Sequence, residues 1–120
     1  MTVELFAGIA VSDFARAVDW VERLLGEPAA FEAHETERIW TLAEHRMVYV
    51  VLQPEHAGHS LVTWFPDDFD AFLASAESRG ITPDTLETYD NGVRKATFHD
   101  PDGNELGIGG APAEEDGRQT

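Results

Sequence analysis

Any chemistry in this chain has to come from carboxylates, histidines and a few cations. The 120 residues include 23 Asp and Glu, eight Lys and Arg, five His and no Cys. Without cysteine there are no disulfides, thiolate metal sites or sulfur nucleophiles. The histidines are scattered. His34 and His45 fall at strand ends or turns, His56 and His59 in the loop "PEHAGH", and His99 just before the turn "DPDGN". Histidines spread in this way read as surface or hydrogen-bonded residues rather than ligands. There is no G-x-S-x-G, no P-loop and no G-x-G-x-x-G opening a helix. The "GIGG" near the end has no helix behind it and cannot cradle a phosphate. The informative stretch is "FHDPDGNELGIGG", Phe98 to Gly110. It is a tight turn running into a strand whose one carboxylate, Glu105, sits among glycines. If the chain is an enzyme, Glu105 is the candidate general base, with Arg94 placed to steer an anion.

The formal net charge of −15 narrows the partners. Phosphate backbones require basic patches, so nucleic acid is excluded, and anionic membrane surfaces are equally poor partners. No apolar run reaches the ~18 residues of a membrane span. An acidic surface confers solubility first, and it also attracts cationic small molecules. "MTVELFAGIAVSDF" lacks the basic segment and long apolar run of a signal peptide, so a cytoplasmic protein is expected.

The elements that would position these residues are set by periodicity. "VELFAGIAV" is an apolar strand, and Ser12 and Asp13 can cap a helix directly after it. Phe14, Ala17, Val18, Val21, Leu24 and Leu25 recur at helical spacing, and Gly26 stands where a helix stops. "AAFEAHE", "RIWTLA" and "RMVYVVLQ" read as strands, the last two joined by a turn at Glu44 to Arg46. After the loop the pattern restarts. "SLVTWF" is a strand, "PDD" a helix start, Phe69, Phe72, Leu73 and Ala76 an apolar stripe, and Gly80 a stop. "LETY", "VRKATFH" and "ELGIGG" are the last strands, separated by turns at Asp90-Asn91-Gly92 and at "DPDGN".

Both halves thus read strand, helix, strand, strand, strand. "AVSDFARAV" matches "FPDDFDAFL" at an offset of 55, with Asp13 on Asp68 and Phe14 on Phe69. The expected fold is α+β: two tandem βαβββ modules whose mixed sheets pair to form a cup, with one helix packed outside each sheet. One domain is expected over 1–110, with module one at 1–54 and module two at 59–110. The polar, aperiodic residues 111–120 read as a disordered acidic tail.

The repeat, with "DFARAVDWVERLLG" after the first strand and "DPDGN" before the last, resembles the vicinal oxygen chelate superfamily. That group includes glyoxalases, extradiol dioxygenases, fosfomycin-resistance enzymes and bleomycin-resistance proteins. The resemblance covers about residues 3 to 110. It implies that metal-using members hold a divalent ion in the cup from four strand positions, two per module. Counted along this chain, those positions are Phe6, Val50, Leu61 and Gly107, with Val50 placed to within one residue. None of the four side chains is a metal donor, so no metal or other cofactor is expected. A shifted site from His59 and Glu105 would have two protein ligands, whereas catalytic zinc usually has three. The two-residue step also displaces each donor by ~6.6 Å along its strand.

What remains is an apolar cup. Alternation puts Phe6, Gly8 and Ala10 inside, together with Leu61, Thr63 and Phe65, with Val48, Val50 and Leu52, and with Glu105, Gly107 and Gly109. The glycines leave volume, and Trp40, Tyr89 and Arg94 are candidates for the rim. Aromatic walls with a few polar groups suit a small molecule. The expected ligand-binding set is therefore Phe6, Trp40, Val50, Leu61, Thr63, Phe65, Tyr89, Arg94, Glu105 and Gly107. The expected function is metal-free binding of a cationic or aromatic small molecule by a homodimer, as the resemblance to bleomycin-resistance proteins implies. The alternative is a lyase or isomerase of glyoxalase or dioxygenase type. It would use a displaced metal site or acid–base residues alone.

Overall fold

The computed structural model describes residues 1–112. The tail expected over 111–120 lies, from 113 onward, outside the described residues. In chain order the elements are β1 (Leu5–Val11), α1 (Phe14–Leu25), β2 (Phe31–His34), β3 (Glu37–Ala43) and β4 (Arg46–Leu52), then a 3₁₀ turn at Pro54–His56. The second module comprises β5 (Leu61–Trp64), α2 (Phe69–Ser78), β6 (Thr85–Thr88), β7 (Arg94–His99) and β8 (Glu105–Gly110). These are the two βαβββ modules expected from the repeat.

Local chemistry explains the helix ends. Asp13 and Asp68 sit in extended backbone, and their carboxylates accept from the Arg16 and Ala71 amides, each taking up one orphan donor of the first turn. Gly26 closes α1 with φ 82°, a conformation that costs glycine little, and its amide reaches back to the Glu22 carbonyl. His45 takes φ 67° in the tight turn between β3 and β4.

Each module makes a four-stranded mixed sheet, in the orders β1-β4-β3-β2 and β5-β8-β7-β6. In each, the first and last strands pair in parallel and the others are antiparallel. The edge strands β1 and β5 bring the sheets together. Both helices lie on the same side, where Arg79, just after α2, donates to the Arg23 and Leu24 carbonyls of α1. Between helices and sheets lies a single core drawn from both modules, including Ile9, Trp20, Leu24, Trp40, Val50, Phe98 and Ile108. Among the described residues the opposite face carries no helix, and it forms the inner wall of the cup. Among the described residues, no helix is long and apolar enough to cross a membrane.

The "DPDGN" turn is the clip that holds the seam. Asn104 is fully buried; its Nδ2 donates to the Ala10 carbonyl of β1 and to Asp100, and its Oδ1 accepts from the Ser60 amide just ahead of β5, all at 2.8 Å. Ser60 Oγ in turn accepts from the Ala10 amide. Asp102 accepts from both the amide and the hydroxyl of Ser12. Ser12 therefore ties the seam, and Asp13 alone caps α1.

Candidate functional site

The inner wall is set by strand register. In module one β1 pairs with β4 so that Phe6 meets Met47, Gly8 meets Tyr49 and Ala10 meets Val51. In module two Leu61 meets Glu105 and Thr63 meets Gly107. β7 then adds His99 beside Glu105, Thr97 beside Gly107 and Lys95 beside Gly109. Phe6, Leu61 and Phe65 project from this wall, 45%, 70% and 62% exposed. Ile9, Val11, Leu106 and Ile108 face the other way, into the helix-side core.

Several side chains expected in the cup are not there. Alternation counted along β4 puts Val48, Val50 and Leu52 on the inner wall. In the structure Val48 and Val50 are buried in the helix-side core, and Tyr49 and Val51 face inward. The module pairing shows why: as Gly107 stands across from Thr63, so Tyr49 stands across from Gly8, two residues after Phe6. The four pseudo-equivalent positions are therefore Phe6, Tyr49, Leu61 and Gly107. Trp40 is not a rim residue. It is 1% exposed in the core, and its indole donates to the Glu27 carbonyl at 3.1 Å. Arg94 points to the helix side, where it stacks on the Phe69 ring at 4.6 Å and pairs with Asp70 at 3.1 Å. It cannot steer a ligand in the cup. Tyr89 comes just after β6 at the outer edge of its sheet, exposed, far along the sheet from the seam at β5.

The glycines do not leave empty space. A Cβ on Gly8 would lie 2.7 Å from the Tyr49 ring, and one on Gly109 would lie 2.5 Å from the Phe65 ring. Each glycine is a seat for a neighbour's aromatic ring. Tyr49 also meets Phe6 edge-on, at 6.5 Å between centroids. At Gly107 a Cβ would lie 2.9 Å from both Lys95 Cε and Thr63 Oγ1, so these two side chains close over the bare strand from either side. A hollow of about 230 Å³ remains over Gly8 and Ala10, walled by Glu37, Tyr49, Val51 and Gln53. A larger cavity of about 440 Å³ lies between the modules, between the end of α1 and α2, bordered by Trp40, Trp64 and Phe72.

A polar row crosses the floor of the second sheet. Asp84 holds His99 Nδ1 at 2.7 Å, which leaves Nε2 facing Glu105 at 4.0 Å. Lys95 Nζ stands 3.8 Å from the other Glu105 oxygen. Sequence reading singles out Glu105 but misses its neighbours, because nothing along the chain links Asp84, Lys95 and His99 before β6, β7 and β8 are paired.

The same geometry tests the divalent metal that the resemblance implies. Phe6, Leu61 and Gly107 offer no donor, and Tyr49 offers one phenol. His59 lies ahead of β5 and is exposed. Among the described residues no three His, Asp or Glu side chains gather in an arrangement that could hold a metal ion. The residues present do not fit a divalent centre.

Paired βαβββ modules around an open cup define a fold of the glyoxalase kind. The chain belongs to the Glyoxalase/Bleomycin resistance protein/Dioxygenase superfamily, whose family model matches residues 4–108. It is similar to a solved glyoxalase / bleomycin resistance protein from Catenulispora acidiphila, with 49% identity, TM-score 0.90, and 92% of this chain and 100% of that one covered. An antibiotic-binding protein from a Streptomyces species shares 26% identity at TM-score 0.68, covering 94% of this chain and 97% of that one. A bleomycin-binding protein solved with bleomycin shares the fold, at 21% identity and TM-score 0.74, covering 92% and 99%. The comparison with curated proteins gave no match.

Proposed function

We infer that this protein binds a cationic or aromatic small molecule in its cup and sequesters it without turnover and without a metal. The observation that carries this reading is the inner wall itself, where Phe6 and Tyr49 offer aromatic surface at two of the positions that would otherwise hold metal donors, and the Phe65 ring over Gly109 adds a third aromatic. Aromatic anchors typically dominate binding energy, and the net charge of −15 favours cations at low salt. The bleomycin-binding and antibiotic-binding relatives lend the reading support of the same kind. A screen of melting temperature against cationic glycopeptides, aromatic drugs, glutathione adducts and catechols tests it. A ligand at about 100 times its dissociation constant stabilises the fold by roughly 2.7 kcal/mol. For a domain near this size that is a rise of roughly 10 °C or more. The hit should persist unconsumed in solution and weaken in Tyr49→Ala. A hit that is consumed makes the protein an enzyme, and no shift from any class removes the binding reading.

The active unit in this reading is a homodimer. Phe6, Phe31, Leu61 and Phe65 are all exposed in the single chain, and together they form an apolar inner face large enough to need cover. A second copy is the occupant with matching surface. Sedimentation at micromolar concentration should give twice the 13.3 kDa chain mass. A species of single-chain mass alone would refute the dimer.

A further inference from the structure

We propose that the Lys95–Glu105 pair on the floor of the cup recognises a neutral amide group on an aromatic ligand, a carboxamide or lactam. The proposal rests on the cup being the ligand site and names the group it reads.

The pair is close but unconsummated. Lys95 Nζ and Glu105 Oε2 are 3.8 Å apart, too far for a hydrogen bond, and their side chains are only 26% and 36% exposed. Among the described residues neither side chain makes a hydrogen bond to any other group. His99 Nε2 is 4.0 Å from the second Glu105 oxygen, and Asp84 already holds that ring through Nδ1. A half-buried ammonium and a half-buried carboxylate thus stand side by side, one with free donors and one with free acceptors. Half-buried groups of this kind gain most from a partner that supplies both missing bonds.

An amide supplies both. Its carbonyl accepts from the ammonium, and its N–H donates to the carboxylate. Charged groups fit worse. A carboxylate on the ligand would meet Glu105 and also Glu87, which stands opposite Lys95 on β6. An ammonium would meet Lys95. The nearby surface suits an aromatic body, because Phe65 lies over Gly109, the β8 residue paired with Lys95. Gly107 makes the arrangement possible, since the Lys95 stem runs across the space a side chain there would fill.

The test uses 2-naphthamide and its N,N-dimethyl analogue, which keeps the carbonyl and loses both donors. Affinities for the full-length protein are read by naphthyl fluorescence. The expected result is that 2-naphthamide binds about tenfold or more tightly than the dimethyl compound, a difference of about 1.4 kcal/mol. Lys95→Met and Glu105→Leu should each remove that advantage. Gly107→Ala keeps both charges and the extended backbone, but it displaces the lysine stem and should also weaken 2-naphthamide. Far-ultraviolet circular dichroism and melting curves show that each variant is folded. Equal affinity of the two amides for the wild-type protein, or a 2-naphthamide affinity unchanged in Lys95→Met and Glu105→Leu, overturns the proposal and leaves the pocket standing. Failure of both amides to bind overturns the proposal. If the wider ligand screen is also blank, the pocket reading falls with it.

Discussion

Asn104→Ala should cost the protein about 3–5 kcal/mol and lower its melting temperature by roughly 10–20 °C. The size of the effect comes from the groups the side chain holds. It is fully buried and makes three 2.8 Å hydrogen bonds, to the Ala10 carbonyl, the Ser60 amide and the Asp100 carboxylate. Alanine leaves those groups without their partner in a site that water does not reach, and each stranded polar group costs about 1–3 kcal/mol. Against a typical total stability of about 5–15 kcal/mol, that is a large share. Asn104→Asp separates shape from bonding. It is isosteric, yet it turns the donor that faces the Ala10 carbonyl and Asp100 into another acceptor, so it should be no better than alanine near neutral pH. Chemical denaturation of both variants decides the matter. Losses under about 1 kcal/mol would mean that the seam between β1 and β5 is held by packing alone. Hydrogen exchange should accelerate first at Ala10, Ser12 and Ser60, the amides of that seam.

Trp40→Ala should destabilise by about 3–5 kcal/mol, the range for removing a large aromatic from a core. Trp40 is 1% exposed, packs in the core shared by both modules, and spends its indole N–H on the Glu27 carbonyl just beyond α1. Trp40→Phe should recover most of the packing and lose the hydrogen bond, at about 1–2 kcal/mol. Leu61→Ala is the contrast. Leu61 is 70% exposed on the inner wall of the single chain, so its loss should cost less than about 1 kcal/mol of chain stability. Urea titration of the three variants, at protein concentrations low enough to keep the chain single, checks the ranking. A Trp40→Ala protein of unchanged stability that had lost only ligand affinity would restore Trp40 to the rim.

Much of this protein is legible without coordinates, because the signals involved are local. Helical spacing from Phe14 to Leu25, the capping Asp13 and Asp68, and the matching offset between them depend on neighbours within a few residues. So does the parity of β5 and β8. There, Thr63 and Glu105 alternate with Val62 and Leu106, and the polar or small residue marks the open face. From these alone come the two modules and the helix outside each sheet.

The inner wall of module one is another matter. In β4 the run "RMVYVVL" is apolar on both faces, so alternation carries no mark of which face is buried, and a one-residue slip exchanges every side chain between core and cup. Only the pairing of Gly8 with Tyr49 sends Val50 into the core and Tyr49 into the cup. Trp40 is ambiguous for the same reason, standing beside the equally apolar Ile39 on β3. The polar row of Asp84, Lys95, His99 and Glu105 lies beyond any local rule, because residues so far apart along the chain meet only when β7 pairs with β8 and Asp84 is drawn beside them. Spacing along the chain set the elements and their repeat. Register between strands, a property of the packed sheets, decided which side chains a ligand would meet.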